Sequence, residues 1–145
     1  MTSSPDPGPA FRPARTHRTA AAWGPVIVYC GAIFAQSSFP TSDALPTFFM
    51  SDKLLHLGAY ALLAILFHRA LGQHRVGASP LKRAILTIAF TVLYGISDEF
   101  HQSFVPGRSP EILDVAADAA GGLIGVILAQ RFGHSGSARS AAPAD

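Results

Sequence analysis

Cysteine, charge and tryptophan are all scarce in this chain. A single cysteine, Cys30, stands among 145 residues, so neither a disulfide framework nor a thiolate metal site is available. Only 14% of the residues are charged, against about a quarter in an ordinary soluble domain, and the mean hydropathy is positive at +0.31. The sequence also lacks a Gly-rich phosphate loop and a nucleophile elbow, which leaves a nucleotide enzyme or a soluble hydrolase without support. Its net charge of +2 comes without an aromatic platform, so a nucleic-acid partner is not indicated.

What the chain does have is long apolar runs. Four of them, at 20–37, 54–71, 84–104 and 112–132, are each long enough to cross a hydrocarbon layer of ~30 Å as a helix. They predict an all-α, integral membrane four-helix bundle over 19–132. Gly24-Pro25 would break a soluble helix but is tolerated in a spanning one. Residues 1–18 are rich in Pro, Ser, Thr and Arg and 133–145 in Gly, Ser and Ala, so both read as disordered tails. Basic residues before the first apolar run also permit a signal peptide: bulky Ile33 disfavours cleavage after Ala35 while a site after Ser37 stays open, and a retained first helix is the better fit.

The cations fix an orientation. Arg12, Arg15, Arg18, Arg69, Arg75, Lys82, Arg83, Arg131 and Arg139 fall on one side of the four runs, and only Lys53 and Arg108 fall on the other. Positive residues favour the cytoplasm, so both termini are expected there. The acids divide the opposite way. Asp43, Asp52, Asp98, Glu99, Glu111, Asp114 and Asp118 all lie in or near the outer half, which hides a charge dipole beneath the basic total.

Helical spacing gathers these groups. Asp52, His56 and Tyr60 share one face of the second helix, with Lys53 beside them, and Tyr94, Asp98, His101 and Gln102 share a face of the third, with Glu99 about 100° round from Asp98. Asp114 and Asp118 head a face of the fourth helix that continues into Gly121, Gly122 and Gly125. The spacing of Gly121 and Gly125 lets another helix approach, in this chain or in a second copy. Between the third and fourth helices, Pro106-Gly107 suits a type II turn, Ser109 an N-cap and Pro110 a first helical position, which would hold Arg108 at the rim with its planar fork free for a carboxylate or a phosphate. Ionisable groups at membrane depth are a functional site by default.

Plainer readings stand beside that one. Asp98, Glu99 and Arg108 could be an ion network that only fixes the bundle. His56 and His101 with Glu99 or Asp98 could hold a divalent cation, since imidazole and carboxylate suit zinc, although the spacing matches no established zinc motif; no other cofactor is indicated. Tyr60 and Tyr94 read as packing groups, and His17, His68, His74 and His134 as solvated cytoplasmic residues. Below the outer cluster the helices offer no evident polar continuation.

Ser51-Asp52-Lys53-Leu54-Leu55-His56-Leu57-Gly58-Ala59-Tyr60, then Asp98-Glu99-Phe100-His101-Gln102 with Phe104-Val105-Pro106-Gly107-Arg108-Ser109, and finally Asp114-Val115 leading into the glycines, resemble the three signature segments of VanZ-like membrane proteins. The resemblance implies a small multi-pass protein of the bacterial inner membrane, in a family named for resistance to the glycopeptide teicoplanin and without an agreed catalytic mechanism. Where the family pattern usually has Asn, this chain has Asp118, so that position is either a charge or a neutral hydrogen-bonding group. Three roles remain open. A non-enzymatic protein could bind or shield a cell-wall precursor or glycopeptide through Asp52, Lys53, His56, Asp98, Glu99, Gln102, Arg108, Asp114 and Asp118. An intramembrane enzyme could hold a lipid-linked phosphate or peptide on Arg108 and Lys53, with Asp98, Glu99 or His101 as acid and base. Proton or cation translocation could use Asp114, Asp118 and His56.

Overall fold

The computed structural model describes residues 15–40, 51–74 and 79–133, with the backbone alone described at 15–18 and 51. Arg12, Asp43, Arg75, Arg139 and His134 lie outside the described residues, as do 1–14 and 134–145 of the tails expected over 1–18 and 133–145; residues 15–18 and Gly133, expected in those tails, are instead helical. Four helices follow one another: α1 (Arg15–Ser37), α2 (Ser51–Leu71), α3 (Pro80–Gln102) and α4 (Ile112–Gly133). All four are long and apolar enough to span a membrane.

The observed ends differ from the expected ones for local reasons. α3 begins at Pro80 rather than 84, because Ser79 is extended and its hydroxyl accepts from the Lys82 amide at 3.5 Å, which draws Lys82 and Arg83 into the first turn. Pro25 sits inside an unbroken α1. The connection between α3 and α4 turns at Pro106-Gly107 as expected, with Gly107 at φ 81° and the Arg108 amide donating to the Val105 carbonyl at 3.1 Å. Ser109 and Pro110 do not start α4, however. The Glu111 amide is taken by the Glu99 carboxylate of α3 at 2.9 Å, and the helix begins at Ile112.

Polarity is arranged inside out. Ile27, Val28, Leu54, Leu55, Leu93, Ile112 and Phe132 are exposed, whereas Thr87, Thr91, Asp98, Glu99, Gln102, Asp114 and Asp118 are buried. Such a surface suits lipid and not water. The chain is thus an all-α, multi-pass integral membrane bundle.

α2 and α4 meet backbone to backbone. A Cβ on Gly121 would fall on the Leu57 carbonyl, one on Gly125 on the Ala61 carbonyl, and one on Gly122 on the Thr91 hydroxyl. The close approach offered by Gly121 and Gly125 is therefore taken by α2 of the same chain, and this surface is not open to a second copy. On the other side, Trp23, Phe67, Phe90 and Tyr94 form a ladder between α1, α2 and α3, with centroids 5.4 Å apart for Trp23 and Phe67 and 4.0 Å for Phe67 and Phe90. Tyr94 closes it by donating to the Cys30 carbonyl at 2.7 Å.

The half of the bundle away from the acidic residues is more polar than its sequence suggests. His68, expected at the surface, is buried and lies 3.3 Å from the Thr87 hydroxyl, and Thr91 is buried one turn above Thr87. His74 likewise has a partner, accepting from the Trp23 indole at 2.8 Å. The Thr87 and Thr91 hydroxyls donate to carbonyls of their own helix, and Thr87 also meets His68 of α2.

Candidate functional site

The acidic ends of α2, α3 and α4 meet at one end of the bundle and form two connected arrays. The first is centred on Lys53. Its ammonium lies 2.9 Å from Asp52, 2.8 Å from Glu111 and 2.9 Å from Asp114. Asp114 is buried while Asp52 and Glu111 are largely open, so the Asp114 pair is the one shielded from solvent. One helical turn further in, the His56 Nδ1 stands 2.9 Å from the Asp118 Oδ1, with the Asp118 side chain wholly buried.

Asp118 fits there because α3 carries Gly95 opposite it. Any side chain at that position would overlap the carboxylate. Glu99 completes this array from α3, with one oxygen on the Glu111 amide. Nitrogen of His56 and carboxylate oxygens of Glu99 and Asp114 all lie within 4.8 Å of one another.

The second array joins α3 to α1. Asp98, also buried, accepts from the Ser37 hydroxyl at 2.8 Å and from the Gln102 amide at 3.0 Å. Gln102 in turn accepts from Arg108 at 3.1 Å. The other guanidinium nitrogens of Arg108 reach the carbonyls of Phe39 at 3.2 Å and Gln36 at 3.3 Å. Arg108 therefore holds one of the last carbonyls of α1, that of Gln36, and the Phe39 carbonyl just beyond the helix, and its hydrogen bonds go to neither Asp114 nor Asp118. His101 belongs to this side as well, stacked on Phe34 with centroids 4.3 Å apart and 3.0 Å from the Ser38 hydroxyl. It lies apart from the His56, Glu99 and Asp114 group.

Of the residues expected at the site, Asp52, Lys53, His56, Glu99, Asp114 and Asp118 converge, while Asp98, Gln102, Arg108 and His101 form the α1 array. Ser37, Ser38 and Gly95 were not anticipated. A clue existed for Gly95, one turn below Asp98 on the same face of α3, where a missing side chain leaves room for a polar neighbour.

Hydrogen-bonding capacity is not balanced across the site. Among the described residues, Glu99 Oε1, Asp118 Oδ2 and Tyr60 Oη are buried without a partner. Both cations at this end are spent on internal acceptors. The unused capacity is mainly that of carboxylate acceptors, which suits a cation or a donor-rich ligand better than an anion.

A lipid-facing four-helix bundle with an acidic, acceptor-rich end defines a small polytopic membrane protein with an intramembrane polar site. The family described as VanZ/LLP1 matches residues 16–133, and the chain belongs to it. No curated protein and no solved structure was found to match.

Proposed function

We propose that this VanZ-type protein sits in the bacterial inner membrane with its polar end facing outward, and that it lowers susceptibility to glycopeptides by binding or shielding an envelope component there without turning it over. The observation that carries the reading is a buried carboxylate oxygen without a donor, Glu99 Oε1. Structural ion networks satisfy their members, because an unpaired buried acceptor costs ~1–3 kcal/mol; a ligand supplying amide or ammonium donors would offset that cost. Cell-wall precursor peptides and glycopeptides both carry such donors. An enzyme acting on a lipid phosphate is less well supported, since Lys53 and Arg108, the groups that would hold the anion, are engaged by the protein itself.

Teicoplanin susceptibility of a bacterium expressing the wild-type chain, an empty vector or the Glu99→Gln variant tests the reading. Protection by the wild type and its loss in Glu99→Gln, at equal protein level in the membrane, is the expected result. Equal protection by both would overturn it.

A further inference from the structure

We infer that His56, Glu99 and Asp114 hold a divalent transition-metal cation, with zinc the best fit to their donor atoms. The site shares the acidic end of the bundle with the role proposed above but does not depend on the susceptibility role.

Two carboxylate groups at this end meet the distance condition for an ion, and they share Asp114. One is Asp52, Glu111 and Asp114; the other is His56, Glu99 and Asp114. The first is already occupied by a cation of the protein, since the Lys53 ammonium lies within 2.9 Å of all three carboxylates. The second meets Lys53 only through the shared Asp114, and its Glu99 is 6% exposed with Oε1 unpartnered. Lys53 reaches every carboxylate of the first cluster and only one of the two in the second.

The ligand chemistry points the same way. A histidine that binds a metal through one ring nitrogen usually donates from the other to a carboxylate, which fixes the tautomer and the ring plane. His56 Nδ1 faces Asp118 Oδ1 at 2.9 Å; in the tautomer that donates to Asp118, Nε2 carries the lone pair that a metal requires. Lys53 contacts Asp114 through Oδ1 alone. One imidazole and two carboxylates form a mixed nitrogen and oxygen set, preferred by zinc over calcium or magnesium.

Ligands of tetrahedral zinc lie ~3.3 Å apart, given bonds of ~2.0–2.1 Å. Side-chain adjustments of about an ångström from the observed spread would close the site. Three protein ligands leave a fourth position for water or for a donor atom of an envelope ligand. A dication would also offset the buried charge of Glu99, Asp114 and Asp118, which Lys53 alone leaves in excess.

Full-length protein, purified in detergent and stripped with a chelator, is to be titrated with zinc or cobalt(II) alone. One equivalent should bind, with the visible cobalt absorption of a low-coordinate site, and zinc edge absorption should show one imidazole. Glu99→Gln should weaken binding by about tenfold or more, whereas His74→Gln, at the opposite end of the bundle, should leave it unchanged. Substoichiometric binding, oxygen-only scattering, or equal weakening by His74→Gln and Glu99→Gln would each overturn the site. The wild-type absorption spectra decide the question even where a variant fails to fold, and none of these readouts uses antibiotic susceptibility, so either proposal can fail alone.

Discussion

His56 on α2 and Asp118 on α4 face one another at 2.9 Å, with Asp118 fully enclosed and seated in the space that Gly95 leaves on α3. Three helices thus contribute to one buried contact. Replacing Asp118 with Asn keeps the shape and one hydrogen bond to the imidazole. Replacing it with Ala leaves His56 without a partner and opens a void beside Gly95. In detergent, Asp118→Ala should lose ~1–3 kcal/mol, and Asp118→Asn should unfold close to the wild type. Thermal melts of the two variants compared with the wild type check this.

The glycines separate into two groups that the same melts can distinguish. Gly121→Ala and Gly125→Ala drive a methyl group into backbone carbonyls of α2, where nothing flexible can yield, so α2 and α4 must part. Each should cost ~1–3 kcal/mol. Gly24, Gly31 and Gly58 have nothing within 4 Å of a Cβ, and alanine there should be neutral or slightly stabilising.

Arg108 ties the α3–α4 turn to the end of α1. Arg108→Gln removes its bonds to the Gln36 and Phe39 carbonyls and to Gln102, and should destabilise the docking of α1 by ~1–3 kcal/mol. Adding Asp114→Asn should not restore stability, because the two residues do not touch. A double-mutant cycle between Arg108 and Gln102 should give a coupling of about 0.5 kcal/mol or more; additive losses would contradict the contact.

Membrane orientation, inferred from the cation asymmetry, is tested by single cysteines on a Cys30→Ser background. Ser38 and Ser103 are exposed at the acidic end and Ser79 is exposed at the other. An impermeant thiol reagent added outside intact cells should label cysteines at 38 and 103 and spare one at 79. Labelling at 79 alone would invert the topology.

Much of this arrangement was legible in the sequence, and what was missed has a geometric cause. Helical spacing tells which residues share a face, and it correctly grouped Asp98 with Gln102 and placed Asp114 and Asp118 above the glycines. It cannot tell which neighbour that face meets. Glu99 and His101 lie on either side of the Asp98 direction, roughly 100° one way and 60° the other, so one turns toward α4 and the other toward Phe34 of α1. His68 was misplaced because adjacent Arg69 made the segment look solvated, while the 68 position itself faces Thr87. Arg108 was read as a free rim charge because carbonyls at the end of α1 leave no mark in a sequence.

The central claim is that the acidic end receives a ligand and is not merely a scaffold. Teicoplanin and a soluble cell-wall precursor pentapeptide should each be titrated, by isothermal calorimetry, into the full-length protein in nanodiscs and into its Glu99→Gln variant. Saturable binding of one of them to the wild type, weakened by about tenfold or more in a variant that unfolds at the same temperature, is the predicted result. No binding of either probe, or equal binding to both proteins, would contradict it.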